Sequence, residues 1–213
     1  MSKITAIDLF CGAGGLTHGL IESGIPVAAG IDNDAHCKFA YEYNNSPAKF
    51  INKSIKDITK RDLLHFFTNS NYKLLVGCAP CQTFSNYNRK ASPNDQKWTL
   101  LLEFGRLIED ILPDIIAMEN VPQLASKNVF SDFMTILKNN SYKYIDYRII
   151  RCEDYGTPQT RRRLVLLASK IAPINIISPK EFGGIHHTVR DAIGNLPPID
   201  AGETLAQDDL HRS

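Results

Sequence analysis

Short apolar or β-branched runs alternate with helical patterns through the first 170 residues, and that alternation restricts the fold more than any other feature of the chain. The runs are TAIDLF (5–10), PVAAGID (26–32), YKLLVGC (72–78), PDIIAMEN (113–120), YIDYRII (144–150) and RLVLLAS (163–169). Several are apolar almost throughout, as strands buried on both faces are. Between them, Leu100, Phe104, Leu107, Ile108 and Ile111 recur at helical spacing, and so do Phe130, Phe133, Met134 and Leu137. Strand alternating with helix predicts βαβ units, hence an α/β fold with a doubly wound, mostly parallel sheet. The chain shows no internal repeat, and 213 residues suit one large domain with a proper core.

Two regions depart from the rhythm. Residues 85–97, SNYNRKASPNDQK, are polar and rich in turn formers, so they read as a long loop of the kind that is functional or mobile. After residue 170 the alternation fades, which divides the chain into a domain over 1–170 and a segment, 171–213, with no pattern that would close a fold.

A net charge of +1 gives bulk electrostatics no lean toward nucleic acid, membrane or acidic ligands, and leaves local patches open. The five cysteines (11, 37, 78, 81 and 152) are odd in number and scattered. The start, MSKITAIDLF, lacks the basic and apolar regions of a secretory signal, and no apolar run approaches the ~20 residues of a membrane span. A cytoplasmic chain with reduced thiols is therefore expected, without a Cys78–Cys81 disulfide and without a membrane.

Ligands of such sheets bind beyond the carboxyl ends of the strands. The first strand delivers DLFCGAGG, where Gly12, Gly14 and Gly15 permit a tight turn before a helix N-terminus. The dinucleotide spacing G-x-G-x-x-G fails at Thr17, so a plain turn and a cofactor loop both stay open. The second strand ends in Asp32, placed to take ribose hydroxyls or to cap the next helix, as Asp34 also could. The third long strand delivers Pro80-Cys81-Gln82, the fourth MENV with Glu119 and Asn120, and the last is preceded by QTRRR with Arg161, Arg162 and Arg163. A thiol, a carboxyl and guanidinium groups would thus meet at one sheet edge. Cys-x-x-C alone also serves redox and zinc sites. Zinc is disfavoured, because no second Cys/His pair has ligand spacing.

DLFCGAGG, APCQTFS, MENV and QTRRR stand in the order and approximate spacing of the cytosine-C5 DNA methyltransferase family, which residues 4–169 resemble. TVRDAIGNLPP (188–198) is similar to that family's lead-in to its target recognition domain. The resemblance implies the Rossmann-like fold of S-adenosylmethionine-dependent methyltransferases, with 1–170 as the cofactor-binding and catalytic domain. It implies S-adenosylmethionine as cofactor and duplex DNA with a flipped cytosine as substrate.

The chemistry accounts for these residue types. Carbon 5 of cytosine is a poor nucleophile until a thiolate adds to carbon 6 and makes the ring an enamine. A carboxyl beside ring nitrogen 3 takes up the charge that develops there, and an arginine holds the carbonyl oxygen. By resemblance Cys81 is the nucleophile, Glu119 the N3 partner, and Arg161 and Arg163 the site arginines, Arg162 between them pointing elsewhere. Gln82, Ser85, Asn120 and Arg163 are implied at the substrate. Phe10, Gly12, Gly14, Gly15, Asp32, Asp57, Ile58, Pro80 and Leu100 are implied at the cofactor, with Asp32 at the ribose and Asp57 and Ile58 at the adenine edge. Cys78 is left to packing. Asn88, Arg89 and Lys90 of the polar loop are placed to meet phosphates.

Full-length members continue into a target recognition domain, a helix motif and a closing segment, none of which occurs in these 213 residues. A fragment, one subunit of a split enzyme with a second chain supplying recognition, or a remnant are the expectations, with little unaided catalysis and an exposed sheet edge or apolar patch. The expected setting is bacterial, cytoplasmic or at the nucleoid. A tRNA cytosine-C5 methyltransferase and a non-catalytic regulatory subunit remain as other readings, and a nicotinamide dehydrogenase is disfavoured by the failed glycine spacing.

Overall fold

A computed structural model describes residues 4–80, 99–184, 186–202, 204–205 and 208–212. They divide into two compact units, Met1–Ile150 with Arg162–Ile177 and Arg151–Arg161 with Ser178–Ser213.

The first unit is built on seven strands: β1 (Ile4–Leu9), β2 (Val27–Asp32), β3 (Lys49–Asn52), β4 (Tyr72–Gly77), β5 (Ile115–Asn120), β6 (Tyr144–Arg151) and β7 (Arg162–Ser169). Their order across the sheet is β3-β2-β1-β4-β5-β7-β6. β3, β2, β1, β4 and β5 run parallel, and β7 joins β5 antiparallel, with Glu119 opposite Val165 and Asn120 opposite Leu164. The chain leaves β1 toward β2 and β3, then returns to add β4 on the other side. That reversal opens a crevice at the carboxyl ends of β1 and β4.

Alternate strand residues serve two layers, as the period of two requires. Ile7, Leu9, Ile31, Leu75, Ile116, Met118, Leu164 and Leu166 pack against helices α4 (Thr99–Ile111) and α5 (Asn128–Asn139), and short α3 (Lys60–Leu64) adds Leu63. Phe104 and Phe133 meet there with ring centroids 5.6 Å apart. Ala6, Val27, Leu74 and Val76 face α1 (Gly15–Glu22) and α2 (Cys37–Asn44), around a fully buried Tyr41. Tyr41 takes the space that side chains at two glycines would need. A Cβ at Gly30 would fall 2.5 Å from its Cζ, and one at Gly14 2.8 Å from its Cδ2.

Helices α4 and α5 coincide with the two apolar repeats. β6 forms one edge of the sheet, with Tyr144, Tyr147 and Ile149 exposed. The second unit holds two short helices, α6 (Pro179–Phe182) and α7 (Val189–Ile193), each started by a capping box, Ser178 with Glu181 and Thr188 with Asp191. A two-stranded antiparallel ladder, β8 (Thr204–Leu205) with β9 (Asp208–Arg212), completes it. Neither helix buries a residue, which is why the sequence there lacks an apolar period. Among the described residues, no helix is long and apolar enough to cross a membrane.

Candidate active site

The turn after β1 is shaped by backbone that few side chains tolerate. Phe10 has φ 60° and Gly12 has φ 50°, both left-handed. For a bulky residue that conformation costs about 1–2 kcal/mol, and such strain collects at functional positions. It sets the Phe10 ring on a cavity. Asp32, at the end of β2, holds the turn in place: its Oδ2 accepts a hydrogen bond from the Gly12 N–H at 2.9 Å, and its Oδ1 accepts one from the Asp34 N–H at 2.9 Å. Asp34 in turn accepts from the His36 N–H. Asp32 therefore organises the loop and the approach to α2 together, and its carboxylate retains lone pairs for a ligand.

Phe10, Ile31, Asp32, Asn33, Lys53, Ser54, Ile55, Cys78, Pro80 and Leu100 line this cavity of about 290 Å³. Four of the expected cofactor residues are among them. The expected adenine-edge pair, Asp57 and Ile58, is not among these lining residues. Asp57 is exposed at the end of a 3-10 turn (Ile55–Asp57), and Ile58 is 1 % exposed in the core. Lys53, Ser54 and Ile55, just before them in the chain, do line it. Arg106 of α4 pins this turn, its Nη2 donating to the carbonyls of Ile55 at 3.0 Å and Ile58 at 3.1 Å. Its Nε and Nη1 are held by Glu103 and Asp110.

Beneath the glycine loop lies Asp8 of β1, 1 % exposed, accepting from the Thr17 hydroxyl at 2.7 Å. Thr17 also meets the Tyr41 hydroxyl at 3.1 Å. Burial lifts the Asp8 carboxyl from its ordinary value to about 7, against the Thr17 hydrogen bonds and with the Asp32 charge helping. A carboxyl raised on folding contributes stability that is complete below its unfolded value and lost as pH rises through about 7. Asp8→Asn keeps an acceptor for Thr17 and removes that loss. The variant is therefore expected to gain a few kcal/mol over wild type between pH 5 and 8.5, read from urea unfolding at each pH.

A second cavity, of about 170 Å³, is lined by Cys78, Ala79, Pro80, Glu119, Asn120, Val121 and Arg163. Glu119 is the penultimate residue of β5, and its carboxylate is ion-paired with Arg163, near the start of β7; Arg163 is 17 % exposed and Glu119 34 %. Asn120 is buried and bonded within the protein. Its Nδ2 donates to the Ala79 carbonyl at 2.9 Å and its Oδ1 accepts from the Val121 N–H. It thereby fixes the strand exit that leads to Pro80 while also lining this second cavity.

The Cys78 thiol faces Glu119 and is pushed well above the ordinary thiol range, by burial first and then by the Glu119 charge. It is a protonated donor to that carboxylate and an inert sulfur, which the sequence suggested only as packing. Arg161 belongs to the second unit, where its carbonyl accepts from the Cys152 N–H and its own N–H meets Glu153. Arg162 is exposed. Cys81, Gln82, Ser85 and the polar loop with Asn88, Arg89 and Lys90 lie outside the described residues, as does any statement about their geometry. Cys11, Cys37, Cys78 and Cys152 are free thiols, and among the described residues no cluster of His, Cys, Asp or Glu could hold a metal ion.

The two cavities share Cys78 and Pro80. An aromatic and acidic cavity thus adjoins one with a carboxylate and a guanidinium, and Pro80, on both, is bonded to Cys81.

Comparison with known proteins points the same way. The C-5 cytosine-specific DNA methylase profile matches residues 4–206. The type II methylase M.HgiDII of Herpetosiphon aurantiacus is 50% identical over 96% of this chain and 58% of its own length. The type II methyltransferase M.AquIA of Picosynechococcus is 27% identical over 94% of this chain and 92% of its own. A crystal structure of a DNA modification methyltransferase encoded in an E. coli prophage superposes with a TM-score of 0.74 at 26% identity, over 93% of this chain and 57% of that one. The chain spans a little over half the length of the first and third of these proteins.

Proposed function

The chain belongs to the C-5 cytosine-specific DNA methylase family, and on that premise we propose that it forms the cofactor-binding and catalytic part of an enzyme that methylates carbon 5 of cytosine in DNA. The observation that carries this reading is the pair of adjoining cavities that meet at Cys78 and Pro80, one lined by Phe10 and Asp32, the other by Glu119 and Arg163.

S-adenosylmethionine is the cofactor that the family implies, and the residues present suit it. The first cavity offers an aromatic face at Phe10 and an acceptor for ribose hydroxyls at Asp32. A Cβ built at Gly12 or Gly15 would meet nothing within 4 Å, which leaves the loop open beside its backbone. Bound there, the cofactor supplies an electrophilic methyl group on a sulfonium. Phe10, Asp32, Ser54, Ile55, Pro80 and Leu100 would hold it. Asp32→Ala is expected to weaken cofactor binding by about 10- to 100-fold, the scale of a hydrogen bond to a charged group. Calorimetry with S-adenosylhomocysteine would read it, and Asp32→Glu should retain most of the affinity.

In the second cavity Arg163 and Glu119 receive the base. Arg163 gives a donor to the carbonyl oxygen of the ring, and Glu119 partners nitrogen 3, where charge collects as the Cys81 thiolate adds to carbon 6. Carbon 5, made nucleophilic by that addition, would take the methyl that a bound cofactor supplies, the electron pair of the broken carbon–sulfur bond staying on the cofactor's sulfur, and loss of the carbon-5 proton would expel the Cys81 thiolate from carbon 6. The target carbons are inaccessible in stacked duplex, so the nucleotide is extruded into this cavity. Target recognition falls to further protein, whether continuous with this chain or a separate polypeptide.

The test is incubation with 5-fluorocytosine DNA and labelled S-adenosylmethionine, with tRNA as a parallel substrate and a recognition part of a related methylase added in trans. A denaturation-resistant protein–DNA adduct that carries the label is the expected result. Label on tRNA alone would overturn the DNA reading. Cofactor binding with no adduct under any of these conditions would overturn the catalytic one.

A further inference from the structure

The group that is transferred has to pass from the cofactor cavity to the base cavity, and among the described residues Cys78 and Pro80 are those that border both. Pro80 forms its wall with a ring closed on the backbone. Cys78 contributes a free side chain. It follows β4 directly, is half-buried, and its sulfur lies against Glu119 on one side while the residue also lines the cavity of Phe10, Asp32 and Leu100 on the other. The backbone beneath it is fixed, since its N–H donates to the Leu9 carbonyl and the next residue's carbonyl accepts from Asn120. A side chain at this position therefore stands between the two cavities on a backbone that is held in place.

We propose that Cys78 is the specificity-determining residue for the size of the group transferred, and that its sulfur confines the reaction to methyl. The proposal rests on the reading of the two cavities given above. A larger alkyl group on the sulfonium, such as allyl, has to place two further carbons where the Cys78 sulfur stands. The chemistry is otherwise unchanged: nucleophilic carbon 5 takes the alkyl carbon, the electron pair of the broken carbon–sulfur bond stays on sulfur as a neutral thioether, and the carbon-5 proton leaves to water. The raised position of the Cys78 thiol supports the assignment, because a protonated sulfur is an uncharged wall and no rival nucleophile.

The experiment compares wild type, Cys78→Ser and Cys78→Ala in two ratios. The first is the affinity for the allyl sulfonium analogue relative to S-adenosylmethionine, measured by calorimetry without nucleic acid. The second is allyl against methyl transfer to DNA by the protein with its recognition part present. Cys78→Ala is expected to raise both ratios by about tenfold or more, the scale of a methylene-sized change in a pocket. Cys78→Ser, of nearly the same size and still a donor to Glu119, should leave both near wild type. A general structural defect lowers allyl and methyl alike and leaves the ratios unmoved. Unchanged ratios in Cys78→Ala, whatever its total activity, would overturn the proposal. A shifted binding ratio with no transfer of either group would uphold the width assignment and count against the catalytic reading instead.

Discussion

Cys81→Ala is expected to abolish methyl transfer, a loss on the order of 10⁶-fold, the scale on which removal of a nucleophile is felt. The loss should appear in chemistry and leave cofactor binding intact. Phe10, Asp32, Pro80 and Leu100 line the first cavity, and none of them is changed by a substitution at position 81. Cys81→Ser should recover little, because a hydroxyl is far less ionised and less nucleophilic than a thiol at neutral pH. Cys152→Ala, which removes a thiol of the second unit outside both cavities, is the control and should transfer at the wild-type rate. Labelled transfer and adduct formation on 5-fluorocytosine DNA would be read together. Transfer at wild-type rate by Cys81→Ala would remove the covalent mechanism.

Glu119→Gln is the second large effect, expected to lower kcat by about 10²- to 10⁴-fold, the range of a positioned general acid or base. Glutamine keeps the size of the side chain and an oxygen for the Arg163 guanidinium, so the cavity's shape survives the change. What it loses is the charge of the ion pair and the ability to take up and return a proton. The split between parameters is the diagnostic. Cofactor affinity should hold, because Glu119 is not among the residues that line the first cavity. Single-turnover rates on DNA should fall, and raising the DNA concentration should not restore them. A variant whose defect vanished at saturating DNA would reassign Glu119 to binding.

Much of this arrangement is written locally. β1, β2 and β4 are apolar along most of their length because both faces are covered, and β5 and β7 keep apolar runs with one face buried and the other half-buried, so all five stand out without any structure. β3 does not, being four residues, KFIN, at the sheet edge with one buried position. The pairing of Gly12 with Asp32 is legible because adjacent parallel strands bring the turn after one to the end of the next. The cavity wall formed by Lys53, Ser54 and Ile55 is not legible. Its placement depends on Arg106 reaching from α4 to two carbonyls, an interaction between residues some fifty positions apart with no local signature. Asn120 shows a similar limit: an amide at a strand end suits a ligand or a neighbouring carbonyl equally, and only tertiary contact reveals Ala79 as its partner.

The reversed strand has an evolutionary consequence. Because β7 runs against β5, Arg163 near its beginning stands close to Glu119 near the other's end, and the ladder from Ile115–Ser169 to Asn120–Leu164 acts as a ruler between them. Insertions or deletions in the segment before β7 leave that ruler untouched, so the segment can diversify without moving the guanidinium. A slip of one residue within β7 itself would turn every side chain to the opposite face. Tolerance to insertions and deletions should therefore change abruptly where β7 begins, generous before it and severe within it.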